Sequence, residues 1–179
     1  MRLIATTLSL VASTTLLMAG VSHLHQPRHF RKLLRKQEVW PHALEWPIVA
    51  LTAGSEIVLG VICTGIALGA IGQGSPSLLG ASALYFCYGT YSFFLLSIRP
   101  AAPCACSGEG DLISPWVVTR AYLLSLFASI GWLFQEPIGF TALTGVQVGT
   151  VMCATISIAI VIWSLPMALG RHQEAVVGL

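Results

Sequence analysis

Residues 47–72 read PIVALTAGSEIVLGVICTGIALGAIG, an apolar run in which Glu56 is the one charged residue. A helix rises 1.5 Å per residue, so about 20 such residues cross the hydrocarbon core of a bilayer. The run is therefore a membrane span, and similar runs occupy 1–22, 77–98, 116–134 and 140–169. The composition agrees: of 179 residues, 55% are hydrophobic and 9% charged, with a mean hydropathy of +0.81. Soluble domains carry about a quarter charged residues. The expected fold is an all-α, multi-pass membrane helical bundle of about five transmembrane helices, forming one membrane domain over residues 1–179. A net charge of +2, with the basic residues gathered in one loop, gives a nucleic-acid surface no support.

The segment before the decisive span, residues 23–46, carries the basic cluster. Phe30, Leu33 and Leu34 stand at i, i+3 and i+4 among Arg28, Arg31, Lys32, Arg35 and Lys36. This predicts a short amphipathic helix lying in the headgroup region, with a solvated basic linker as the alternative. Trp40, Pro41, Trp46 and Pro47 then mark the return into the bilayer, because aromatic rings favour its boundary. Residues 3–21 follow a single Arg2 and exceed a signal-peptide core of about 7 to 15 residues, so they read as an uncleaved first span. The hydroxyls of Thr6, Thr7, Ser9, Ser13, Thr14 and Thr15 predict a helix facing other helices. In the second span, Gly54, Gly60, Gly65 and Gly69 would admit a close neighbour.

Between the third and fourth spans lies the loop 99–115, containing Pro103-Cys104-Ala105-Cys106-Ser107-Gly108. Of the five cysteines, Cys63, Cys87 and Cys153 fall in apolar runs and read as small hydrophobes. Cys104 and Cys106 are the two expected to meet water. Two cysteines separated by one residue have α-carbons at most ~7 Å apart, so a disulfide between them closes a strained ring. Strain raises the reduction potential and favours an exchanging pair over a structural staple. Pro103 and Gly108 would bend the loop, and the N-terminus of the fourth span just behind would favour a thiolate. Soft-metal capture by the same two thiolates, of Cu(I) for example, and a chemically idle loop remain alternatives.

Glu56 sits ~13 Å into the second span, where an unpartnered carboxylate costs several kcal/mol. Arg120 lies a few residues into the fourth span, entered from the same face, so the two are expected to support each other beneath the cysteine loop. Arg120 snorkelling to the headgroups and a neutral Glu56 are the alternative. His23, His25, His29 and His42 cluster in the basic segment, but no carboxylate or cysteine stands near them at ligand spacing, so no metal site is assigned.

Three patches in order along the chain resemble the MauE branch of the DoxX-like membrane proteins. They are Val21-Ser22-His23-Leu24 through Pro27 and Phe30; Ser55-Glu56-Ile57-Val58-Leu59-Gly60; and Pro103-Cys104-Ala105-Cys106 followed by Trp116, Val117 and Arg120. The chain departs from that pattern at His23, where the family commonly has lysine, at Ala105 and Ser107 within a C-G-C-F-G type loop, and at Ala121, where asparagine is common. The resemblance implies a DoxX-like four-helix core and a role in redox maturation linked to methylamine utilisation. It also implies work beside a thioredoxin-like partner or a maturing client, with Cys104 and Cys106 as the redox pair and Glu56 and Arg120 supporting it. By analogy with membrane thiol oxidases, electrons would leave to a quinone or to a thioredoxin-like domain. A non-catalytic membrane scaffold is the remaining alternative.

Five spans put Arg28, Arg31, Lys32, Arg35, Lys36, Arg99, Arg120 and Arg171 on the cysteine side and Arg2 alone on the other. In a plasma (inner) membrane, the positive-inside rule makes the cysteine face cytoplasmic, whereas the redox role implied by the resemblance belongs outside the cytoplasm.

Overall fold

The computed structural model describes residues 2–70, 76–100, 102–104, 112–134 and 144–177, with side chains through 164. Helix α1 (Arg2–His25) leads into the short α2 (Pro27–Gln37). A 3₁₀ turn (His42–Leu44) precedes α3 (Glu45–Ala67), and α4 (Ser77–Ile98), α5 (Pro115–Leu133) and α6 (Gly145–Val177) follow. Five of these are long and apolar enough to cross a membrane, over Leu3–His25, His42–Ala67, Ser77–Ile98, Pro115–Leu133 and Gly145–Ser164. Among the described residues, the sole β feature is an isolated antiparallel bridge between Pro103 and Leu112. The chain is a multi-pass helical membrane bundle.

A helix in lipid satisfies its own backbone, so packing is decided by which stripe of each helix is small or polar. On α3 the buried stripe is Glu45, Val49, Ala53, Glu56, Gly60 and Cys63, while Leu51, Val58 and Val61 face outward. Helix α1 packs along that stripe through two glycines. A Cβ on Gly20 would meet Ile57 Cγ1 at 2.8 Å and the Ile57 backbone nitrogen at 3.1 Å, and one on Gly60 would meet Leu17 Cγ at 2.7 Å. Gly60 thus does what the sequence leads one to expect of it. Gly54 does not, since a Cβ there meets nothing within 4 Å.

The hydroxyls of α1 mostly bond back onto their own helix, Ser9 to the Ala5 carbonyl at 2.9 Å and Thr15 to Val11 at 2.6 Å. This lets polar residues face a dry interior. Helices α4 and α5 are joined by a reciprocal pair: Ser82 Oγ donates to the Ser125 carbonyl at 3.1 Å, and Ser125 Oγ to the Ser82 carbonyl at 2.9 Å. Tyr85 ties this pair to α1, its hydroxyl donating to the Ala12 carbonyl at 2.7 Å. Val11, Leu16, Cys63, Leu78, Leu124 and Ala128 fill the centre between them. Cys63 is fully buried there, whereas Cys87 and Cys153 are exposed.

The basic segment does form an amphipathic helix. Phe30, Leu33 and Leu34 of α2 are buried, with Phe30 and Leu34 against Val49 of α3. Overpacking a tight helix contact costs roughly 1–3 kcal/mol, so Gly20→Val should lower the thermal unfolding temperature of the detergent-solubilised protein by several degrees. Gly54→Val, on an open face, should leave it within about a degree; equal shifts would contradict the α1–α3 packing.

A cavity lined by Cys104

The polar groups of the buried stripes find different partners. Glu45, at the start of α3, is fully buried and gathers the cations of the interfacial segment. Arg31 Nε donates to its Oε2 at 2.7 Å, Arg35 donates through Nε and Nη2 at 3.0 and 2.9 Å, and His42 Nδ1 lies 2.7 Å from Oε1. Arg31 also covers the Trp46 ring at 5.1 Å. Hydrogen bonding to Glu45, reinforced by its charge, raises the Arg35 guanidinium above its ordinary pKa. A single carboxylate thus fixes α2 across the start of α3.

Glu56 lies eleven residues further along the same stripe, roughly 16 Å deeper at 1.5 Å per residue, and is 1% exposed. Its Oε2 is 2.8 Å from Nδ1 of His23 at the end of α1. The His23 ring stacks on Phe30 of α2, with centroids 4.1 Å apart and planes within 8°. The imidazole is therefore held from both sides. Arg120 stands on the buried stripe of α5 with Val117, Ala121, Leu124 and Ala128 and is 8% exposed. Its guanidinium lies over the Trp163 ring of α6, 5.6 Å from the centroid. Arg120 neither snorkels to the surface nor pairs with Glu56. The expected Glu56–Arg120 contact is replaced by Glu56–His23 and Arg120–Trp163, because α1 lies closer to the Glu56 face of α3 than α5 does.

These groups share one cavity of about 800 Å³, walled by residues from all six helices. Thr15, Ala19 and His23 come from α1, Gln37 from α2, Thr52 and Glu56 from α3, Tyr85, Tyr88 and Tyr91 from α4, Arg120 and Leu124 from α5, and Trp163 from α6. Cys104 lines it as well.

That position corrects the expectation that Cys104 meets water, since it is 2% exposed. The ends of its loop are drawn together where Ile113 N donates to the Ala102 carbonyl at 2.9 Å, and Leu95, Ala102 and Ile113 pack as a cluster. Gln37, itself 3% exposed, donates through Nε2 to the Pro103 carbonyl at 3.0 Å. The Gln37 Oε1 accepts from the Tyr91 hydroxyl at 2.7 Å, and that hydroxyl accepts from Trp40 Nε1 at 3.1 Å. A relay of three side chains thus holds the residue before Cys104 against the end of α2. Cys106 and Gly108 lie outside the described residues, as does Ala105.

Sequence reasoning missed Glu45, Gln37 and the role of His23. The signal for Glu45 was present, because it falls on the same stripe as Glu56. Among the described residues, no group of three or more His, Cys, Asp and Glu gathers as a metal site. His23 and His42 go to separate carboxylates instead.

Fold and site define a polytopic helical membrane protein whose largely apolar cavity carries a few buried polar groups and is lined by Cys87 and Cys104. Residues 1–134 match the family model described as methylamine utilisation protein MauE, so the chain belongs to the MauE family. No curated protein and no solved structure matches the chain. The family description ties it to methylamine utilisation; α6, and with it Trp163, lies beyond the matched region.

Removing one hydrogen bond worth about 1 kcal/mol raises an opening equilibrium roughly fivefold. Gln37→Leu should therefore speed alkylation of Cys104 about fivefold in the reduced, folded protein, read by mass spectrometry of the labelled peptide. An unchanged rate would show that the relay does not hold the loop.

Proposed function

We propose that Cys104 and Cys106 form a dithiol–disulfide pair that exchanges with a thioredoxin-like protein or a maturing client, supporting disulfide formation in that partner. The observation that carries this reading is the placement of Cys104. An idle loop cysteine has no reason to be buried in the wall of a cavity shared with His23, Glu56 and Arg120. Exchange needs a thiolate, and Arg120 brings positive charge to the same cavity.

In the proposed step a client thiolate attacks one sulfur of the Cys104–Cys106 disulfide, giving a mixed disulfide. The second client thiolate then displaces the bound sulfur, leaving the client oxidised and the pair as two thiols. The relay from Trp40 through Tyr91 and Gln37 would keep Cys104 placed while its bond changes. His23, Glu56 and Arg120 are positioning and proton-handling groups in this reading, and the chain acts as a single membrane domain.

Oxidising work of this kind requires the Cys104 face to lie outside the cytoplasm. The pairings weaken the opposing charge count. Arg31 and Arg35 are tied to Glu45, Arg99 to Glu38 at 2.7 Å, and Arg120 is inside the bundle.

Three measurements test the reading. Acid-quenched membranes should yield wild-type protein in which Cys104 and Cys106 resist alkylation until reductant is added, and Cys104→Ser should abolish client oxidation in cells. A pair that stays fully reactive without reductant would sink the exchange reading. An Arg28→Cys reporter on the exposed side of α2 should react with a membrane-impermeant maleimide on intact cells; protection there until lysis would put the site in the cytoplasm.

A further inference from the structure

Among the described residues, Arg120 is a buried cation with a ring contact but no hydrogen bond or ion pair. It is 8% exposed, it lines the cavity, and among the described residues no carboxylate stands within ion-pair distance of it. The Trp163 face meets its charge but offers nothing to its N–H groups, and a guanidinium carries five such donors. Buried donors and buried charge are costly unless an acceptor is supplied. The cavity is also too large for an ion: about 800 Å³ lies within the range of sites that enclose whole organic ligands, roughly 300–1,000 Å³.

We propose that this cavity binds a quinone of the membrane pool, one ring oxygen accepting from Arg120 and the other facing the His23–Glu56 pair, and that the quinone is the electron acceptor for Cys104 and Cys106. The proposal deepens the thiol-exchange reading and rests on it. Three features select a quinone over the other oxygen-bearing amphiphile of a membrane, an anionic phospholipid. Arg120 and the Glu56–His23 pair, which share the wall with His29 and with neutral amides and hydroxyls, suit two neutral carbonyls; a phosphate would set a second negative charge in the space that holds Glu56. The walls carry flat aromatic rings, Tyr85, Tyr88, Tyr91 and Trp163, suited to a planar ring. The same cavity touches the thiol that must be oxidised.

The step balances with no further reactant. The two S–H bonds break and one S–S bond forms between Cys104 and Cys106. Two electrons pass to the ring, and two protons reach its oxygens, one of them across the 2.8 Å contact between Glu56 and His23. The product is a hydroquinone, which exchanges with oxidised quinone in the bilayer.

The full chain in nanodiscs of neutral phospholipid tests this with two probes, a short-chain benzoquinone and a short-chain naphthoquinone. Binding is read by tryptophan fluorescence in a Cys104→Ala/Cys106→Ala variant, so that it does not depend on the thiols. The expected result is saturable binding of at least one probe, weakened on the order of tenfold or more by Arg120→Gln, as for loss of a charge-assisted hydrogen bond, and less by Arg120→Lys. Should Arg120→Gln not fold, Ser92→Phe, which fills the cavity from α4, should abolish binding. Reduced wild-type protein mixed anaerobically with the probe should form one hydroquinone per disulfide. Absence of saturable binding, binding indifferent to both substitutions, or extraction of a tightly held anionic phospholipid in place of quinone overturns the proposal. Thiol exchange that persists without quinone binding overturns the quinone alone; quinone binding with cysteines that never oxidise overturns the thiol reading and the acceptor role with it.

Discussion

A charge on the buried stripe of a membrane helix has to be matched inside the protein, and that constraint organises the fold from Glu45 outward. The Glu45 carboxylate, with no access to solvent, accepts from Arg31 and Arg35 and contacts His42. Those contacts lay α2 across the start of α3 and bring its end, Gln37, to the Pro103 carbonyl. The position of Cys104 is therefore set two steps away from it. The same rule acts at Glu56, whose match is His23. Because His23 sits at the end of α1, that contact and the Gly20 and Gly60 approaches pin one helix pair at both its polar and its small-residue positions.

Much of this was legible in the sequence. Run length and the scarcity of charge gave five spans, and the i, i+3, i+4 spacing of Phe30, Leu33 and Leu34 gave α2 as an amphipathic helix. Glu56 and Arg120 were visible as groups too costly to leave in lipid. Their partners were not, because a pairing depends on how helices rotate against one another, and rotation is set by contacts between small residues distant in sequence. His23 and Glu56 are 33 residues apart. Gln37 read as one more polar residue of a basic segment, since nothing local marks a side chain whose partners, Tyr91 and Pro103, come from later elements. Cys104 was misplaced for the same reason. A short polar loop predicts solvent exposure, but the Ile113–Ala102 bond and the Gln37 bond to Pro103 hold Cys104 inward.

The boundary of the family match divides the site unevenly. Residues 1–134 supply His23, Gln37, Glu56, Cys104 and Arg120, so the family-matched part carries the acid, the imidazole, the thiol and the cation. Helix α6 adds Trp163, whose ring lies against the Arg120 guanidinium. A cation–π contact is worth about 2 kcal/mol or more when desolvated, and it meets the charge without giving the guanidinium N–H groups an acceptor. A carboxylate in place of Trp163 would neutralise Arg120 and remove its demand for an acceptor. With an aromatic ring there, the charge is held in place while its hydrogen-bonding edge stays available to the cavity.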